Sequence, residues 1–95
     1  MRIEARLTEL DLTLPDPLQL PPGLQLPFPW VRVRGTRAFI SGHGPQAADG
    51  AIAGPLGKVG AELTVEQGYQ AARLTALAML GSLRRELGDL DRVTA

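Results

Sequence analysis

The chain has 95 residues, an apolar share of 44%, and ten basic residues that balance ten acidic ones, which bounds it to one small globular domain. With no net charge, no global field draws it to nucleic acid or a membrane surface. The absence of cysteine excludes a disulfide framework, a thiolate nucleophile and a thiolate metal site.

Residues 1–14 are expected to form a leader. Ile3, Leu7 and Leu10 follow the i, i+4, i+7 spacing of a short helix over residues 2–10, and a helix of about two turns must dock on something else to persist. The start is charged, with no apolar h-region behind it, and the densest apolar run, Leu74 to Leu80, is too short to span a bilayer. A cytoplasmic location is therefore expected.

Residues 15–29 hold six of the eight prolines, which rules out helix and central strand. They read as a stiff, polyproline-like connector. The interspersed leucines suggest that it lies against its own protein.

Trp30 to Pro45 reads as a β-hairpin ending in a polar corner bracketed by glycines. Two alternating runs, Trp30–Arg34 and Arg37–Ser41, flank Gly35-Thr36, the spacing of a two-residue turn in which Gly35 supplies a positive φ. This register sets Arg34 opposite Arg37, Val33 opposite Ala38, Arg32 opposite Phe39, Val31 opposite Ile40 and Trp30 opposite Ser41. Val31, Val33, Ala38 and Ile40 then share an apolar face, on which Ile40→Asp is expected to unfold the domain. The other face mixes Trp30 and Phe39 with Arg32, Arg34 and Arg37.

A polar, glycine-rich loop follows, with Ala51-Ile52-Ala53 able to form a short strand. Gly54-Pro55-Leu56-Gly57-Lys58 lacks the upstream glycine and the trailing hydroxyl of a phosphate loop. Thr64-Val65-Glu66-Gln67 fits a capping box and opens a helix from Val65 to about Leu87, with Gly88 as its left-handed cap. Tyr69, Ala72, Ala76, Leu80, Leu83 and Leu87 trace one stripe, and the collar Leu74–Leu80 calls for cover on more than one side. Residues 89–95 leave the helix and read as the start of a strand.

A hairpin and one helix cannot cover both the Trp30/Phe39 face and the collar. The pattern therefore calls for an oligomer or a longer fold. His43 is the lone histidine, which excludes a histidine metal cluster and favours a loop histidine with backbone hydrogen bonds. The three hairpin arginines with two aromatics are the ingredients of an RNA platform, weighed against an edge whose arginines meet carboxylates across subunits.

Pro29-Trp30-Val31, the Gly35-Thr36 hairpin, Phe39-Ile40-Ser41-Gly42-His43-Gly44-Pro45 and the helix opened by Leu63-Thr64-Val65-Glu66 resemble the Rid family, the reactive-intermediate deaminases also labelled YjgF, endoribonuclease L-PSP or translation inhibitor. Gly88-Asp89-Leu90-Asp91-Arg92-Val93 is similar to that family's helix-to-strand junction, and the resemblance takes in the family's N-terminal two-thirds. It implies an α+β class: a hairpin plus long helix forming the front part of a chorismate-mutase-like trimeric fold, so that residues 1–95 make a single, incomplete domain. It further implies hydrolysis of reactive enamines and imines to keto acids and ammonia, without metal or cofactor, at sites between subunits of a homotrimer.

Trp30, Ser41, Gly42 and His43 fall on the family's substrate-binding positions, with His43 where glutamine is usual. The family's carboxylate-binding arginine and water-positioning glutamate have no match here, and Arg92 precedes that region. The alternative is a non-catalytic small-molecule-binding or RNA-binding module of the same fold.

Overall fold

The computed structural model describes residues 2–94, in the order helix, hairpin, helix, with a short 3₁₀ turn at the end. Helix α1 spans Arg2–Glu9, strands β1 and β2 span Val31–Arg34 and Arg37–Ile40, helix α2 spans Val65–Leu87, and the 3₁₀ turn spans Leu90–Arg92. This α+β arrangement is the one that the hairpin and capping signals anticipate.

The hairpin register agrees pair for pair with the sequence reading: Val31 with Ile40, Arg32 with Phe39, Val33 with Ala38 and Arg34 with Arg37. Gly35 has φ 61°, as its place in the two-residue turn demands. The pairing continues one step past the strands, where the Ser41 N–H donates to the Trp30 carbonyl at 2.9 Å.

Helix α2 begins and ends where its caps put it. The Gln67 N–H donates to Thr64 Oγ1 at 3.1 Å and the Thr64 N–H donates to Gln67 Oε1 at 2.9 Å, which completes the capping box. At the far end the Gly88 N–H donates to the Arg84 carbonyl at 2.7 Å.

Helix α1 closes with two bonds, from the Leu12 N–H to the Leu7 carbonyl and from the Asp11 N–H to the Thr8 carbonyl, with Asp11 at φ 56°. These are the paired bonds of a Schellman end, here with aspartate in the usual glycine position. Its opposite end is held by Asp91, whose two carboxylate oxygens accept from the N–H groups of Arg2 and Ile3. Those bonds hold the Asp91 carboxyl below its ordinary value. The docking partner that so short a helix needs is therefore the turn that follows α2.

The core lies where these pieces meet. Val31, Leu83 and Leu90 are buried together, and Ile3, Leu7, Leu14, Leu80 and Leu87 close around them. Residues 15–29 form neither helix nor strand and run beside the loop after the hairpin. The Asp16 N–H donates to the Ala48 carbonyl and the Gln19 N–H to the Gly50 carbonyl, each at 2.9 Å. A Cβ at Gly50 would sit 2.1 Å from the Pro17 carbonyl oxygen, so only glycine permits this approach. Ile52 makes one antiparallel bridge to Gln46, a strand reduced to a single pair.

Three expectations need correction. The buried face of α2 is Leu77, Ala78, Gly81, Ser82 and Leu83, while Tyr69 is 64% exposed and Ala72 and Ala76 are also exposed. The small residues admit the chain at Pro15, whose carbonyl oxygen would lie 3.3 Å from a Cβ at Gly81, and this rotates the covered face away from Tyr69. The segment after Gly88 is a 3₁₀ turn followed by extended Val93 rather than a strand, and Ala95 lies outside the described residues. The apolar hairpin face is covered only in part. Val31 is buried and Val33 half-buried, but Ala38 is exposed and Ile40 is 37% exposed, because α2 lies against β1 and leaves β2 open.

Candidate functional site

The hairpin's open end gathers the residues that the sequence singles out. Ser41 Oγ donates to the Pro29 carbonyl at 2.9 Å, and with the Ser41 N–H bond to Trp30 this closes the corner on both sides. Trp30 is half-buried, between Phe28, edge-on at 5.8 Å, and the His43 ring, tilted at 5.0 Å. Trp30, Ser41 and His43 therefore form one wall.

Gly42 is exposed beside it, and a Cβ built there would meet no atom within 4 Å. The fold itself thus gives no steric reason for glycine at position 42.

Both ring nitrogens of His43 are occupied. Nδ1 lies 2.6 Å from the Ser41 carbonyl oxygen, which can only accept, so Nδ1 carries the proton. Nε2 lies 2.8 Å from Ser82 Oγ, and in that tautomer it accepts the hydroxyl proton. Ser82 is buried on α2, and its Oγ in turn accepts from Arg85 Nη2 at 3.2 Å. Arg85 Nη1 donates to the Pro15 carbonyl at 3.3 Å. A chain of polar contacts thus runs from Arg85 through Ser82 to His43 and fixes the imidazole against Trp30. The histidine's backbone bond fits the loop-histidine reading, and the bond to a helix serine adds to it.

Ser82 and Arg85 escape a sequence reading. Ser82 carries one usable signal, a polar side chain between Gly81 and Leu83 on an otherwise apolar stretch. Arg85 reads only as a cation suited to the helix C-terminus.

A hollow of about 170 Å³ opens beside this wall, lined by Pro29, Trp30, Val31, Ser82, Arg85 and Glu86. On the other face of the hairpin a second hollow, of about 330 Å³, is lined by Phe28, Arg32, Phe39 and Ser41 among others. Arg32, Arg34 and Arg37 are exposed and make no ion pair among the described residues. No group of three or more histidine, cysteine or acidic side chains able to hold a metal occurs among the described residues. No helix among them is long and apolar enough to cross a membrane.

No protein-family model matches the chain. Among curated proteins it is similar to Protein TCP17 of Trypanosoma cruzi, 41% identical over 59 residues, which are 62% of this chain and 36% of that protein. Among solved structures it is similar to the crystal structure of a Shewanella oneidensis MR-1 protein assigned as an endoribonuclease. That likeness has a TM-score of 0.75 and 31% identity over 94% of this chain and 55% of the other. The chain thus spans about half the length of that solved relative and about a third of the curated one. The agreement in fold over nearly the whole chain joins the ordered motifs from Pro29 to Glu66, and together they support a likeness to the Rid-like YjgF/L-PSP family.

Proposed function

We propose that this chain contributes the Trp30–Ser41–Gly42–His43 wall of a Rid-type site for small imino and keto acids. In this reading the complete fold is a cytoplasmic homotrimer with its sites between subunits. Its activity is hydrolysis of reactive enamines and imines to keto acids and ammonia.

The observation that carries the proposal is the corner itself: a fixed imidazole and an unobstructed glycine backbone gathered at an aromatic ring that also lines a hollow. These groups bind and orient a small planar ligand, which accounts for the positioning share of catalysis. The resemblance assigns the water-positioning glutamate to a region without a match here, so the residues described account for binding and orientation and not for the hydrolytic step.

The test is acceleration of imine hydrolysis, with 2-imino acids generated in place and the free keto acid measured. The complete fold should raise the rate, and Trp30→Ala within it should abolish the gain. A rate equal to the buffer control with every imino acid tried would overturn the proposal.

The exposed arginine face favours a second reading, in which the hairpin binds RNA, in line with the endoribonuclease assignment of the Shewanella protein. Binding that weakens steeply with salt and falls on Arg32→Ala and Arg37→Ala would support it. Undetectable RNA binding at low salt would remove it.

A further inference from the structure

We infer that Ser82 and His43 form a nucleophile–base pair at the hollow beside Trp30, able to hydrolyse esters of short, uncharged acyl groups. This activity is separate from the small-acid reading above and does not rest on it.

The hydroxyl of Ser82 is not used as a helix hydroxyl usually is. Thr75, earlier on α2, turns its Oγ1 back to the Ala71 carbonyl at 2.8 Å. Ser82 instead turns its Oγ to His43 Nε2, also at 2.8 Å. With the proton on Nδ1, held by the Ser41 carbonyl at 2.6 Å, Nε2 is the basic nitrogen and already accepts the hydroxyl proton. A nucleophile, a base within hydrogen-bond reach and a group that orients the base are the parts of a serine hydrolase site, here with a backbone carbonyl in place of the usual carboxylate. The base is this chain's own departure: the resemblance expects glutamine at position 43, an amide that takes no proton.

Arg85 Nη2 donates to the same serine oxygen at 3.2 Å. It sets a positive charge beside the place where negative charge develops during acyl transfer. Ser82 is buried against bulk solvent yet borders the hollow, which makes the hollow its route of approach. Pro29, Trp30 and Val31 give that hollow an apolar side, and its volume of about 170 Å³ suits a short acyl chain. Glu86 lines it as well, so an uncharged acyl group fits better than an anionic one.

The chemistry closes without a further reactant except water. Ser82 Oγ attacks the acyl carbon and its proton passes to His43 Nε2. The bond from the acyl carbon to the alcohol oxygen then breaks, and the alcohol leaves with that proton. Water attacks the acyl-serine, giving a proton to Nε2, which returns it to Ser82 Oγ as the carboxylic acid departs.

The probe is p-nitrophenyl acetate, with nitrophenolate release followed and the acid-quenched protein digested to locate acetyl groups. The wild-type protein should show a stoichiometric burst and carry acetyl on Ser82. Ser82→Ala should slow release by about a hundredfold or more, the share that general-base assistance commonly supplies. Thr75→Ala should match the wild type. Because Ser82→Ala also unties His43 from the helix, His43→Gln is measured beside it. Its amide oxygen still accepts from Ser82 but takes no proton, so its circular dichroism should match the wild type while the burst is lost. A full burst in either variant, acetyl on other residues and none on Ser82, or wild-type release no faster than buffer would each overturn the inference. Imine hydrolysis is read separately, so that failure leaves the small-acid reading standing.

Discussion

Strands β1 and β2 pair residue for residue, yet they meet different surroundings. Val31 on β1 is 4% exposed, under α2 and beside Leu83 and Leu90, whereas its partner Ile40 on β2 is 37% exposed. Next to Ile40, Phe39 is 56% exposed on the opposite face. One edge of the hairpin is thus closed by the chain's own helix and the other is bare. A trough of about 640 Å³, with Val33, Ala38, Ile40, Leu83, Leu87 and Val93 among its lining residues, marks the boundary between them. The comparison teaches that α2 suffices to cover one strand of a two-stranded ribbon and not two. The second strand's apolar side is then the natural place for further protein, in accord with the trimer proposed above.

Substitutions on the two sides should therefore differ in size. Leu90→Ala removes the one large side chain that is almost wholly enclosed among the described residues, and should cost about 2–5 kcal/mol in urea unfolding. Val31→Asp puts an unpaired charge into that same core and should leave no cooperative transition. Ile40→Asp, which the sequence led us to expect would unfold the domain, lies instead at the bare edge with Ile40 37% exposed, and should leave a monomer folded and act on assembly. Equal loss of fold in Val31→Asp and Ile40→Asp would break the comparison.

Smaller effects sharpen it. Thr64→Ala removes one half of the capping box and should cost about 1 kcal/mol by thermal or urea unfolding. Gly42→Ala should leave the melting temperature nearly unchanged, since nothing lies within 4 Å of the new methyl group, yet reduce keto-acid affinity if ligand approaches that backbone. A loss of stability with unaltered affinity would mean that the corner is structural only.

The smallest effect concerns Asp91. Its bonds to the first N–H groups of α1 hold its folded pKa below the ordinary 3.8. Its contribution is accordingly full above that value and is lost as pH falls through the lower folded value. Asp91→Asn should therefore flatten the acid limb of the stability profile while leaving the slope near neutrality unchanged. An identical acid limb in the variant would contradict this.

The parts legible in the sequence are those set by near neighbours. The hairpin register follows from a two-residue turn and a period of two, and the bounds of α2 follow from Thr64, Gln67 and Gly88. What the sequence hides depends on residues far apart along the chain. His43 meets Ser82 across 39 positions, and Arg85 reaches Pro15 across 70. No local pattern encodes either contact. The same limit explains the misplaced stripe on α2: Ala78, Gly81 and Ser82 look unremarkable by hydropathy, but their small size lets another stretch of backbone come close. Trp30 and Ser41 were legible as neighbours because strand pairing alone brings them together; the tie of His43 to Ser82 on the helix was not.

The account rests on the bare edge of β2 being an assembly face that completes a site between subunits. Sedimentation velocity on the wild-type protein and Ile40→Asp tests this most directly. The account predicts a trimer that Ile40→Asp converts to folded monomer. A wild-type protein that sediments as a folded monomer at every concentration would contradict it.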